Sequence, residues 1–426
     1  MTMIETALAA DPGAAAFRTP GHSLPGPLYV GEEAYRTDLE AVFGRSWLFV
    51  ATEPEIAEPG DYVTIEVGRR SVILVRDDDM AVRAFYNVCR HRGSRLLDAC
   101  SGSVGNIVCP YHQWTYDTEG QLLHAESSGP DLDRGALSLR KVHVRSVAGL
   151  IFICLADEPP ADFDDYAATV SPYITPHRLA DAKVATQIDI IEDGNWKLVM
   201  ENNRECTHCG GHPELIKSLF PVYGYRPEDI SPRLRPAFAR YTDAHREFTA
   251  TCDEIGLLWK ANEQLETRPT GFRIEREPLD MAGESFTADG RRACQRLLSD
   301  DFSTARLGRL SMHVQPNAWF HAMADHAITF SVLPIAPDKS LLRTTWLVHK
   351  DAVEGRDYDV DALTLVWRQT NDQDRTFVAR AHRGVSDPAY VPGPYLPPEY
   401  QVDAFCTWYI DRLAEYHSAA HARAQA

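Results

Sequence analysis

Two hydrophobic periods divide this chain. In the N-terminal third, short runs rich in β-branched and aromatic residues predict strands at Tyr62 to Glu66, Ser71 to Arg76 and Val82 to Asn87. Gly68-Arg69 and Asp77-Asp78-Asp79 lie between them as turn residues. Lys141 to Arg145 and Gly149 to Leu155 predict a further pair, and Glu158-Pro159-Pro160 ends the pattern. The breaks outline a small β-rich domain inserted at 45–157. Beyond it, Val184 to Ile191 reads as a strand and Asn195 onward as a helix. Strands return across Met312 to Lys350, clearest at Thr329 to Leu333 and Arg343 to His349. Near Tyr358 the period becomes helical. Leu363, Val366, Trp367, Thr370, Phe377, Val378 and Ala381 fall on one stripe of a long helix. Five prolines from Pro388 to Pro398 require irregular backbone. A last helix is predicted from Val402 to about His421.

At 426 residues the chain is long enough for two domains. No apolar run reaches the ~18 residues of a membrane helix. Met1 to Pro20 lacks the pattern of a secretory signal and reads as a loose arm. The net charge of −18 disfavours nucleic acid and anionic membranes, and suits a cationic small molecule or a basic protein partner. Nine scattered cysteines, an odd number, argue against a disulfide framework and for a reducing, cytoplasmic setting.

Four of the candidate ligands form two short pairs, Cys89-Arg90-His91 and Cys109-Pro110-Tyr111-His112. This spacing suits one closed zinc site. It equally suits a two-iron, two-sulfur cluster, with two thiolates on one iron and two imidazoles on the other. The order favours the cluster, since zinc fingers usually pair Cys with Cys and His with His, whereas here each pair is Cys then His.

A second constellation lies at Glu205, His208 and His212. At about 100° per residue these three would share one helix face. Two histidines and a carboxylate form the facial triad of non-haem Fe(II) oxygenases. Glu205 is one candidate for that carboxylate, and an acid elsewhere in the chain is the other. Cys206 and Cys209 read as packing residues.

The flanks Cys89-Arg90-His91-Arg92-Gly93 and Cys109-Pro110-Tyr111-His112-Gln113-Trp114 resemble the signature of Rieske oxygenases. The segment Asn195-Trp196-Lys197 through His212-Pro213-Glu214-Leu215 resembles the catalytic-iron motif of their α subunits. The resemblance runs from about Leu28 to Leu413. It is nearest the branch with glycine betaine monooxygenase and stachydrine demethylase, through Trp346 to Gly355 and Pro388 to Tyr395. In that family the acid before the first histidine links the metal sites and is not a ligand, which implies that role for Glu205. The third ligand is a distant aspartate. Asp374 falls about 20° from Trp367 on the apolar stripe, whereas Asp372 points away, so Asp374 is the one chosen. Respiratory-type Rieske proteins have a disulfide across the two ligand loops. Tyr111 stands at one of its positions here, leaving Cys100 as a packed thiol. Three departures stand out: three residues instead of four between His208 and His212, Thr207 where tyrosine is common, and His382 where glutamine is common. His382 reads as a surface residue suited to a helix C-terminus.

The resemblance implies an α+β fold, with a β-rich Rieske domain at 45–157 and a catalytic domain formed by residues 158–426 and part of 1–44. The latter would be a curved antiparallel sheet around a long helix. It implies a homotrimer, O2 as co-substrate, and NADH electrons through a separate flavin and iron-sulfur reductase. The expected reaction is N-demethylation of a quaternary betaine. Hydroxylation of an aromatic ring, attack on a carnitine-like compound, or simple electron carriage are the alternatives. A quaternary ammonium is best held by aromatic faces, and Trp319, Phe320, Phe330, Trp346 and Tyr390 are the candidates by position.

Overall fold

The computed structural model describes residues 18–126, 132–223, 225 and 227–425. Most of the loose arm expected over Met1 to Pro20 therefore lies outside the described residues. Two N-terminal helices, α1 (Gly26–Val30) and α2 (Glu32–Ala41), precede the first strand. Strands β1 (Leu48–Thr52), β2 (Asp61–Val67), β3 (Arg70–Arg76), β4 (Val82–Tyr86) and β5 (Ser101–Ser103) follow. The short strands β6 (Ile107–Val108), β7 (Thr115–Tyr116) and β8 (Leu122–His124) come next, then β9 (His143–Val147) and β10 (Leu150–Cys154). They form three antiparallel sheets, ordered β4-β3-β2-β5, β6-β7-β8 and β1-β10-β9. The predicted strands at 62, 71, 82, 141 and 149 all appear, shifted by a residue or two.

Helix α3 (Phe163–Ile174) leads into β11 (Lys183–Glu192), α4 (Trp196–Asn202), α5 (Leu215–Ser218) and α6 (Arg235–Ile255). Strands β12 (Asn262–Gln264), β13 (Phe272–Glu277), β14 (Arg309–Val314), β15 (Ala318–Ala322), β16 (His326–Ala336) and β17 (Lys339–Val348) complete the large sheet. Its order is β11-β17-β16-β15-β14-β13-β12, with every pairing antiparallel. Helix α7 (Val360–Val385) and the terminal helix α8 (Tyr400–Gln425) close the order. Asp359 starts α7 by accepting a hydrogen bond from the Ala362 N–H at 2.9 Å, as an N-cap does. Among the described residues no helix is long and apolar enough to cross a membrane.

The large sheet is covered on both faces, which explains why β14 and β15 are buried throughout instead of at alternate positions. Phe320 meets Phe49 of β1 at 4.7 Å between ring centroids, and Tyr166 of α3 meets Phe272 at 5.4 Å. On the opposite face α7 packs down, with Trp367 at 5.0 Å from Phe330 and Asn371 donating to the Thr344 hydroxyl at 3.0 Å.

Helix α4 sits over a buried polar knot. Asp38 of α2 accepts from Trp196 Nε1 at 2.8 Å, from Tyr409 of α8 at 2.8 Å, and from the ammonium of Lys197. Both Asp38 and Lys197 are fully buried. Removing one partner of such a pair strands the other charge in low dielectric. Asp38→Asn is therefore expected to lower stability by about 3 kcal/mol, read as a lower urea midpoint with an unchanged slope. An unchanged midpoint would show that the pair contributes nothing.

Two expectations are corrected here. Glu205, His208 and His212 do not share an α-helix. Helix α4 ends at Asn202, and a separate 3-10 turn, Thr207–Gly211, carries His208. The backbone at Cys206 is non-helical, and Arg204 turns inward, so the helix cannot run on. Cys100 is exposed, not packed. Its carbonyl accepts from the N–H of Thr64, in the middle of β2, at 2.9 Å.

Candidate active site

Two matching loops carry the first constellation. Cys89 opens the loop between β4 and β5, and its carbonyl accepts from the Gly93 N–H at 3.1 Å. Cys109 opens the loop between β6 and β7, and its carbonyl accepts from the Gln113 N–H at 3.0 Å. Gly93 and Gln113 both have positive φ, +75° and +58°, which reverses each chain after its histidine. Both cysteines are buried, while His91 is exposed and His112 half-buried. The imidazoles lie 4.6 Å apart, and His91 stacks on Trp114 at 4.8 Å. Burial raises the Cys89 thiol. At Cys109 burial is outweighed by the N–H groups of Tyr111 and His112, and its pKa falls. A tetrad with sulfurs inside and imidazoles outside suits a cluster whose two irons have unlike ligands.

The second constellation closes around one carboxylate. Asp374 Oδ1 lies 3.3 Å from His208 Nε2 and 3.1 Å from His212 Nε2. The far nitrogens are fixed by other acceptors. His208 Nδ1 is hydrogen-bonded to Glu205, and His212 Nδ1 to Gln373 Oε1 at 2.7 Å. Gln373 in turn donates to Glu214 at 3.0 Å. This is the orientation that metal-binding histidines need, with Nδ1 held and Nε2 presented. His212 Nε2 and Asp374 Oδ1 are buried atoms without a hydrogen-bond partner, so a cation between them fits the donor set. The electrostatics agree. Burial opposes charge on His208, yet Asp374 and Glu205 overcome it and raise its pKa to about 10. Burial likewise opposes the charge of Asp374, and the two histidines still hold its carboxyl below the usual range.

The local sequence departures have places in this geometry. The Thr207 hydroxyl and N–H both donate to Glu205, securing the carboxylate that faces His208. Cys206 and Cys209 are joined in a disulfide, which corrects their reading as separate packing residues. Three residues apart across the 3-10 turn, their Cα atoms come to 4.9 Å, within bridging range. With its sulfur bonded, Cys209 offers no thiolate beside His208 and His212. Asp372 is exposed on the other side of α7. His382 is half-buried near the end of α7, away from the histidines, and burial lowers its pKa.

A small cavity of about 50 Å³ opens beside His208, His212 and Asp374. Its further walls include Tyr223, Phe286, Arg309, His321 and Trp367. Trp319, Phe320, Phe330, Trp346 and Tyr390 do not line it. Phe330 and Trp319 stack at 4.8 Å behind Trp367, Phe320 faces the other side of the sheet, and Tyr390 donates to the Leu24 carbonyl. Two wall residues carried a signal. Trp367 belongs to the α7 stripe, and His321 shares a sheet face with Trp319 two residues earlier. Tyr223, Phe286 and Arg309 come from separate segments and carried none.

Residues 179–415 match the catalytic domain of the ring hydroxylating α subunit, and residues 46–144 match the Rieske [2Fe-2S] domain. The glycine betaine monooxygenase oxygenase subunit of Chromohalobacter salexigens is 41% identical, over 97% of this chain and 93% of that one. The chain belongs to the Rieske oxygenase α-subunit family. Its cofactors are those of the family, a [2Fe-2S] cluster and a mononuclear iron. A Rieske α subunit from Pseudomonas aeruginosa, also a glycine betaine monooxygenase oxygenase subunit, is 41% identical over 94% of this chain and 92% of its own. The fold is shared with the quaternary ammonium Rieske monooxygenase CntA in complex with γ-butyrobetaine. That structure superposes with a TM-score of 0.67 at 19% identity, covering 94% of this chain and 98% of that one.

Proposed function

We propose that this protein is the oxygenase component of a system that removes an N-methyl group from a quaternary betaine. Glycine betaine is the first choice and a cyclic betaine such as stachydrine the second. The observation that carries the substrate is the 41% identity, along nearly the whole chain, to two glycine betaine monooxygenase subunits. The aromatic walls of the cavity, Phe286 and Trp367, agree with a cationic guest.

In this reading Cys89, Cys109, His91 and His112 hold the cluster, and His208, His212 and Asp374 hold the single iron. When bound, the cluster supplies electrons one at a time and the iron supplies O2 activation. Glu205 and Gln373 keep the two iron-binding rings turned inward. The cavity walls hold the N-methyl carbon near them and exclude water. One C–H bond of that methyl becomes C–OH, and the second oxygen atom leaves as water with two electrons and two protons. The C–N bond then breaks, the nitrogen keeps the electron pair, the hydroxyl proton is lost and formaldehyde departs.

The chain divides in this reading into residues 1–44, a Rieske domain at 45–157 and a catalytic domain at 158–426. The family matches and the packing of α2 against α4 and α8 support that division. As an oxygenase component it works with a reductase, for which we infer a flavin and iron-sulfur protein that draws on NADH. A cytoplasmic homotrimer is the form proposed. There Glu205 would link His208 to His112 of the partner subunit.

The test is a formaldehyde-release and O2-uptake screen with iron-loaded protein and a competent reductase. Glycine betaine, stachydrine, carnitine and an aromatic hydrocarbon form the panel. A betaine is expected to lead. Ring hydroxylation with no formaldehyde from any betaine would overturn the reading.

A further inference from the structure

The cavity beside the candidate iron ligands holds a guanidinium that the demethylation scheme above does not use. Arg309 is the first residue of β14, is almost fully buried, and lines the cavity. Its Nη2 donates to Glu277 at 2.6 Å, its cross-strand neighbour pair being Glu277 and Arg309. The guanidinium carbon lies 4.4 Å from the Tyr223 ring centroid and 5.9 Å from that of Phe286. Its Nε has no hydrogen-bond partner. A buried donor left unpaired is costly, and a charged one more so.

The acceptor of Arg309, Glu277, is largely buried as well; burial and the neighbouring Glu275 raise its pKa to about 7 against the pull of Arg309 and Arg273. Between the cavity-lining Asn203 and Glu205 in the chain is another cation, Arg204, wholly buried. It donates Nη2 to Gln315 Oε1 at 2.9 Å and leaves both Nε and Nη1 unpaired. The two carboxylates that line the cavity, Glu205 and Asp374, are engaged by His208 and His212, and these Arg309 and Arg204 donors are left without a partner.

Beside this basic edge stands an aromatic wall. Phe286, His321 and Trp367 touch one another, with centroids 5.5, 4.8 and 5.5 Å apart in their three pairings. Burial, helped by the charge of Arg309, holds the His321 pKa well below its ordinary value, so that ring is neutral and does not repel a cation. One small cavity thus presents a hydrogen-bonding cation and, next to it, a group of π faces.

We propose that Arg309 receives the carboxylate of the substrate while Phe286, His321 and Trp367 receive its quaternary nitrogen. This rests on the betaine reading and adds what selects among quaternary ammonium compounds: a compact zwitterion with its two charges a carbon or so apart. An uncharged aromatic hydrocarbon would leave the Arg309 Nε donor unmet, and an amino alcohol such as choline would offer it only a neutral partner.

The experiment compares glycine betaine with its methyl ester, which keeps the trimethylammonium group and masks the anion. Iron-loaded wild type, Arg309→Gln and Arg309→Lys are assayed for formaldehyde release. Substrate affinity is measured separately by equilibrium titration of tryptophan fluorescence. Wild type is expected to favour the acid over the ester by roughly 30-fold in kcat/KM, mostly through KM. In Arg309→Gln that ratio is expected to fall to about 1–3, with Arg309→Lys between. A ratio that stays at the wild-type value in Arg309→Gln overturns the assignment. If Arg309→Gln does not fold, judged by loss of the mononuclear iron and by its thermal melt, wild type decides: equal use of acid and ester overturns the carboxylate site while leaving N-demethylation standing. If wild type demethylates neither compound, nor any other betaine, the functional reading fails and the carboxylate site with it.

Discussion

Asp374→Ala is expected to lower the iron content from about three to about two per chain, and to abolish turnover, while the visible spectrum of the cluster is retained. Asp374 contributes the one anionic oxygen that faces both His208 Nε2 and His212 Nε2, at 3.3 and 3.1 Å. Without it two neutral imidazoles remain, and a divalent cation loses its only counter-charge in the set. The matched control is Asp372→Ala. Asp372 is exposed and two residues away, about 200° round the helix, and its removal is expected to leave iron and turnover intact. Metal analysis with paramagnetic resonance checks both. Full iron in Asp374→Ala, or loss of iron in Asp372→Ala, would place the ligand elsewhere on α7.

Glu205→Gln is expected to keep both metal sites and lose most of the electron flow, with turnover down by at least ~100-fold. Glu205 accepts from His208 on one side and from the Thr207 hydroxyl and N–H on the other. Burial alone would raise its pKa, but His208 and Thr207 hold it down, so it is a carboxylate at neutral pH. Glutamine has the same shape, yet one of its two terminal atoms can only donate. It cannot accept on both sides. Chemical reduction followed by a single O2 pulse measures the transfer directly. Normal cluster oxidation in that pulse would refute a bridging role. Co-assembly sharpens the test. His112→Ala and His208→Ala chains are each expected to be inactive alone and to regain part of the activity as mixed trimers. Mixed trimers that form and stay inactive would mean that electrons do not cross between subunits.

What could be read from the chain alone was what local spacing encodes. The Cys-x-His and Cys-x-x-His pairs are short-range patterns, and two hydrogen-bonded loops bring them together much as the spacing suggests. Asp374 was legible because a regular 26-residue helix preserves phase over the seven positions from Trp367. The same reasoning misplaced Glu205, His208 and His212 on one helix, since intervals of three and four also fit a turn followed by 3-10 backbone. The Cys206–Cys209 bond was missed for the same reason, because that turn brings the two cysteines close. The cavity walls were the least legible. Tyr223, Phe286, Arg309 and His321 come from four segments and meet only when β14 pairs with β15 and the loops carrying Tyr223 and Phe286 fold against them. The aromatic residues chosen by position mostly fill the layer behind.

The knot at Asp38 sets an order of assembly. Asp38 and Tyr409 touch across 371 positions, and Arg18 reaches Thr407 at 2.9 Å across 389. The sheets β2 to β8, by contrast, pair wholly among residues 61–124. On a ribosome the inserted strands can therefore close on one another early. Helices α1 and α2, synthesised before them, stay without their last partner until α8 emerges. The nascent chain can then pair the strands that carry the cluster ligands well before the fold that receives the electrons exists. A protein arrested or clipped ahead of Tyr409 would be expected to bind its cluster yet fail to build the chamber it serves.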